Sequence, residues 1–140
     1  MSSSGPGASE PAQRLGGDPP SPWEGAFGFS RVVAAGGFVL VGGTTSVDED
    51  GVVVGGTPYE QTIEIMRKLE HELARAGRSL SDVVQTRVYV TDISRADEVG
   101  RAHADAFGEV RPVMTMVEVS ALIDPRMLVE VEAVAVAPGG

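Results

Sequence analysis

Three carboxylates fall in alternating runs near the C-terminus, Glu118 in RPVMTMVEVSAL and Glu130 and Glu132 in MLVEVEAVAV. Carboxylates on neighbouring strands repel unless cations stand between them, and Arg31 and Arg87 are the cations on nearby β-rich runs. Arg31 also follows Phe29 by two residues, on the same side of its run. It is placed either for a structural ion pair or to anchor an anion. Cysteine is absent, which removes thiolate nucleophiles, disulfides and cysteine-ligated metals. His71 and His103 fall on helical patterns without a Cys or carboxylate set at metal spacing, so neither a metal site nor a cofactor is expected.

The elements that must position these groups begin at Phe27. FGFSRVVAAGGFVLVGG reads as two short strands turned at Gly36 and Gly37, and Val52–Val54 as a short third strand. TPYE at 57–60 is a capping box: Thr57 is the N-cap, Pro58 the first helical residue, and Glu60 reaches back to the cap. The helix it opens covers 58–76, with Ile63, Met66, Leu69 or Glu70, and Leu73 facing inward. Glu64, Arg67, Lys68, Glu72 and Arg75 take the outer face, and Gly77 stops the helix. A strand at 83–92, a helix at 94–107 closed by Gly108, and strands at 113–120 and 127–136 complete the order β-β-(β)-α-β-α-β-β. That order predicts an α+β domain with two helices on one face of a mixed sheet.

Alternation assigns the strand faces. Val113, Thr115, Val117 and Val119 form one side of their strand, and Val129, Val131, Ala133 and Ala135 one side of theirs; these aliphatic sides are expected to receive the helices. The opposite sides carry Met114, Met116 and Glu118, and Glu130 and Glu132. They are too apolar for plain solvent and too charged for a monomer core, which predicts a subunit interface.

Residues 1–22 are crowded with Ser, Gly and Pro and hold one large aliphatic residue, Leu15, so a disordered tail is expected ahead of a domain spanning 23–138. Eleven Lys and Arg against twenty Asp and Glu give a net charge of −9 in 140 residues. That balance repels phosphate backbones and argues against a nucleic-acid partner. No membrane span or export signal is written in the chain, which predicts a cytoplasmic protein without a membrane partner.

GGFVLVGGTT, the helix ending ELARAG, VVQTRVYVTDIS, and above all the proline-led strand with VEV followed by VEVEA resemble the Rid superfamily of reactive-intermediate deaminases, also called YjgF-like proteins. The resemblance implies a chorismate-mutase-like fold and a homotrimer with a small-molecule cleft at each subunit boundary. In deaminating members an arginine two residues after the strand's proline binds the substrate carboxylate, and a glutamate in the last strand positions the water that attacks an imine. Here Pro112 matches the proline and Glu130 the glutamate, while Met114 stands at the arginine position. Phe29 stands where those members have a cleft tyrosine. GGTT at 42–45, Gly43 included, lacks the lysine and glycine spacing of a phosphate loop and is expected to line the cleft, as are Met114 and Met116. A thioether cannot replace a bidentate guanidinium, which argues against efficient 2-imino-acid deamination unless Arg31 or Arg111 takes over the anchor. The expectation is a trimer binding an imine, an enamine or a related carbonyl compound; RNA cleavage, attributed to some relatives, is disfavoured by the charge.

Overall fold

The structure, a computed structural model, describes residues 11–137. Its strands are β1 Gln13–Leu15, β2 Val32–Ala35, β3 Phe38–Thr44, β4 Val83–Val90, β5 Val113–Glu118 and β6 Val129–Val136. Its helices are α1 Pro22–Phe27, α2 Pro58–Arg75 and α3 Ala96–Phe107. The six strands form one sheet in the order β1-β2-β3-β6-β4-β5. Every pairing is antiparallel except β4 with β5, so the sheet is mixed, as the element order predicts. Among the described residues no helix is long and apolar enough to cross a membrane.

The β2–β3 turn follows from its two glycines. Gly36 and Gly37 both have positive φ, 60° and 84°, the geometry a two-residue hairpin needs to match strand twist. Helix α2 starts where Thr57 accepts a hydrogen bond from the Glu60 amide at 3.1 Å. The Glu60 carboxylate reaches one residue further back than expected, to the Gly56 amide at 2.9 Å. The helix closes with Arg78 N–H donating to the Leu73 carbonyl and Gly77 N–H to the Ala74 carbonyl, the pairing of a left-handed cap.

The core lies between α2, α3 and one side of the sheet. Ile65, Met66, Leu69 and Leu73 of α2 meet Val32, Val41, Val88, Val129 and Val131, all buried. The inward stripe of α2 therefore runs through Ile65 rather than Ile63, which is 41% exposed. Val52–Val54 contributes only an isolated bridge, Val47 with Val53, instead of a strand.

Two expectations need correction. Residues 11–22 are not a featureless tail: Gln13–Leu15 pair with Val32–Ala34, the Arg31 amide donates to the Leu15 carbonyl at 2.8 Å, and Arg75 donates to the Gly16 carbonyl at 2.7 Å. Each of these ties ends on a backbone group of the segment, which composition does not reveal. Residues 1–10 of that expected tail lie outside the described residues. The second correction concerns β5. Met114 and Met116 pair with Thr86 and Val88, whose buried side chains face the helices, so the methionine side of β5 is the helix side. Val113, Thr115 and Val117 share the open side. An edge strand is covered by few neighbours on either face, so the apolar content of its two sides does not identify the core-facing one.

Candidate functional site

The site is built around a break in the β3–β6 ladder. Register shifts between Val41 and Thr44, and two glycines occupy the bulge. Arg31, just before β2, lays its guanidinium against them: Nη1 donates to the Gly43 carbonyl at 2.7 Å, and the Gly42 amide donates to the Arg31 carbonyl at 2.9 Å. A Cβ on Gly42 would sit 2.8 Å from Arg31 Nη2, and a Cβ on Gly43 would collide with Glu130 Oε2. The Gly42–Gly43 pair thus leaves room for a guanidinium and a carboxylate beside it, and a Cβ at either position would push one of them out of place.

Glu130 projects from the open side of β6 and is half-buried. Burial pushes its carboxyl above the ordinary value of 4.5; Arg31 pulls it down and Glu132 pushes it up, with burial prevailing. Arg31 lies 5.8 Å from the Phe29 ring centroid, and its Nε is buried without a hydrogen-bond partner.

A groove of about 1020 Å³ opens over this pair. One bank is the segment from Asp18 through Phe29. Glu24, buried in α1, holds that bank together by accepting from the Gly17 and Ser21 amides at 2.8 Å each. Burial raises the Glu24 carboxyl, but those hydrogen bonds and the nearby Arg31 outweigh it, so the net shift is downward. The α2 wall supplies Lys68, whose Nζ donates to the carbonyls of Thr45 at 2.5 Å and Val47 at 2.8 Å. Burial, then the charge of Arg31, lowers the Lys68 ammonium below its ordinary value of 10.5. On the remaining bank Arg126 pairs with Asp124 at 2.7 Å, which holds that carboxyl at about 2. Gln61 ties this loop to α2, donating to the Gly55 and Arg126 carbonyls and accepting from the Leu128 amide at 2.8 Å, and so fixes where β6 begins.

Four of the residues singled out from the sequence, Phe29, Arg31, Gly43 and Glu130, line this groove. Met114, Met116 and Arg111 do not; they lie at the far edge of the sheet, on or just before β5, with β4 between them and β6. Glu118 is also separate, accepting from the Ile93 amide at 3.0 Å to cap the turn before α3. Glu132 does meet Arg87, at 3.8 Å, and accepts a 2.5 Å hydrogen bond from Tyr89. His103 is buried against Thr86 at 2.9 Å, and His71 faces Asp18 at 3.6 Å. Among the described residues no three His, Cys, Asp or Glu side chains cluster as a metal site. Sequence reasoning missed Lys68, read only as part of the outer face of α2, and the bank at 18–24. The one available signal was Trp23, a lone tryptophan after a proline-rich stretch.

Comparison with known proteins agrees with this architecture. Residues 22–137 match the family described as Endoribonuclease L-PSP. The crystal structure of a member of the highly conserved YjgF family from Mycobacterium tuberculosis is 46% identical, superposes with a TM-score of 0.81, and is covered in full by 91% of this chain. A RutC family protein of Pyrococcus abyssi is 36% identical over 109 residues, 76% of this chain and 84% of that protein. The 3-aminoacrylate deaminase RutC of Acinetobacter baylyi is 33% identical over 98 residues, 69% of this chain and 77% of that protein. With an α+β mixed sheet, helices on one face and a family match over nearly all the described residues, the chain belongs to the Rid superfamily of YjgF-like proteins.

Proposed function

We propose that the protein is a homotrimer that hydrolyses a small imine or enamine acid in clefts at its subunit boundaries, with Arg31 holding the substrate's carboxylate and Glu130 orienting the attacking water. The observation that carries this reading is the shared seat of Arg31 and Glu130 on Gly42–Gly43. A guanidinium there compensates for Met114 at the position where the resemblance implies an arginine. Arg111 is the weaker candidate: it lies outside the groove of its own protomer and could meet Glu130 only from a neighbouring copy. The similarity to an enzyme named for 3-aminoacrylate, an enamine acid, supports the same substrate class.

The chemistry asks little of the protein. An enamine first takes a proton on carbon to become the imine. Water then adds to the C=N carbon as Glu130 accepts its proton, and the amino group, protonated in turn, leaves as ammonia while the C=O bond forms. A carboxylate raised towards neutrality by burial suits that acceptor role. Assembly follows from the open side of the sheet, where Phe38 is 49% and Leu40 45% exposed beside Arg87, Tyr89 and Glu132. A second copy covering that face would also bring a β5 edge towards a neighbour's groove, the route by which Met114 and Met116 would reach a cleft. Sedimentation equilibrium is expected to give three times 14.6 kDa.

The test is ammonia release from a 2-imino acid generated in situ. Wild type is expected to accelerate it, Glu130→Gln to abolish the acceleration, and Arg31→Ala to raise KM far more than it lowers kcat. Full activity in Glu130→Gln would overturn the reading. Although the matched family is described as an endoribonuclease, the net charge of −9 argues against RNA as the substrate. Salt-dependent RNA cleavage that disappears with a groove substitution would reverse that judgement.

A further inference from the structure

The groove is lined by charged and by apolar side chains, and the hydrolytic reading uses only the charged ones. Arg31, Lys68 and Glu130 lie together where β3, α2 and β6 converge. Around the same concavity stand Phe27 at 65%, Phe29 at 40% and Ile123 at 60% exposure, together with the half-buried Trp23. Single exposed hydrophobic residues are ordinary; several converging on one groove beside a cation are the composition of a ligand site.

The apolar bank is also preformed. Pro19, Pro20 and Pro22 restrict its backbone, Glu24 ties it at Gly17 and Ser21, and Arg75 ties it to α2 at the Gly16 carbonyl. A wall ordered before binding adds no ordering cost when a ligand arrives.

We propose that the groove selects acids carrying a branched or aromatic substituent, with the carboxylate at Arg31 and Lys68 and the substituent between Trp23, Phe27 and Ile123. The proposal rests on the hydrolytic reading and adds the substrate class to it. Lys68 suits its part because two of its three ammonium protons are held by backbone carbonyls, leaving one for an anion.

The test uses the full chain and two stable 2-oxo acids, pyruvate and 4-methyl-2-oxopentanoate, in which a carbonyl oxygen stands in for the imine nitrogen. The second has three more carbons. Each fully buried methylene is worth about fourfold in affinity, so three in a groove open on one side predict a preference of about tenfold. Calorimetry measures it, and Trp23, the chain's one tryptophan, reports by fluorescence that binding occurs in this groove. Phe27→Ser and Ile123→Ser, both at well-exposed positions where folding is not at stake, are each expected to cut the preference about threefold. Equal affinity for the two acids, binding of neither, or a preference that survives both substitutions overturns the proposal. The two readings fail separately. If Glu130→Gln abolishes ammonia release while both acids bind equally, the hydrolytic reading stands and the selectivity falls; if the branched acid is preferred but Glu130→Gln is fully active, the selectivity stands and Glu130 loses its role.

Discussion

The two faces of the sheet divide the labour of the molecule. On the helix side Val41, Val88 and Val131 meet Leu69 and Leu73 in a core that one chain completes by itself. On the open side Phe38, Leu40 and Val113 are exposed next to Arg87, Tyr89 and Glu132, and this is the face that the proposed trimer would cover. On that proposal the stability of the protomer and the completion of the site are separable, and substitutions on the two faces are expected to fail in different ways.

The largest effect belongs to the closed face. Leu69→Ala removes a fully buried side chain between α2 and the sheet and is expected to cost about 2–5 kcal/mol in chemical denaturation. Ile63→Ala, on the exposed side of the same helix, should change stability by less than about 0.5 kcal/mol. Comparable losses at the two positions would show that the stripe is drawn wrongly. On the open face, Leu40→Asp places a charge in the proposed contact. It is expected to shift sedimentation to 14.6 kDa while leaving the circular dichroism spectrum folded. A trimer that persists would mean this face is not the interface.

A smaller effect is expected where the faces meet at the β5 edge. Met114→Arg would offer a neighbouring groove a second guanidinium, and a charge-assisted contact predicts roughly a tenfold rise in kcat/KM. The gain should disappear when Glu130→Gln is added; an unchanged kcat/KM would mean that the edge stays away from the groove.

The smallest effect is electrostatic. Burial raises the Glu130 carboxyl above 4.5, so the folded state holds that proton more tightly than the unfolded state. Its contribution to stability is thus present at low pH and lost as pH rises through the raised value, and at pH 7 the ionised group destabilises the fold. Glu130→Gln should raise Tm at pH 7, and the gain should fade on acidification towards 4.5. A lower Tm at pH 7 would make Glu130 a structural partner of Arg31 rather than a strained functional group.

How far these features could be read beforehand depends on their range along the chain. The β2–β3 turn and the cap at Thr57 were legible because glycine dihedrals and a side chain three residues from its amide are local matters. The placement of α2, β4, α3 and β6 followed from period together with caps and glycine stops. Choosing Ile65 over Ile63 was not legible, since both fit a helical stripe and only the sheet beneath decides. The orientation of β5 escaped because an edge strand has apolar residues on both sides. The bank at 13–24 escaped because hydrogen bonds donated by Arg31 and Arg75 and accepted by Glu24, rather than apolar content, hold it in place. For the site, Arg31, Gly43 and Glu130 were found from the sequence and the resemblance together. Their meeting at one bulge, with Lys68 opposite, depends on a register shift that no periodicity announces.

The central claim, that Arg31 is the anion anchor beside Glu130, is tested most directly by a crystal structure of the complex with 4-methyl-2-oxopentanoate. The account predicts the carboxylate within hydrogen-bond distance of the Arg31 guanidinium and the ketone carbon facing Glu130. A carboxylate bound instead at Arg111 or along the β5 edge, away from Gly42–Gly43, would contradict it.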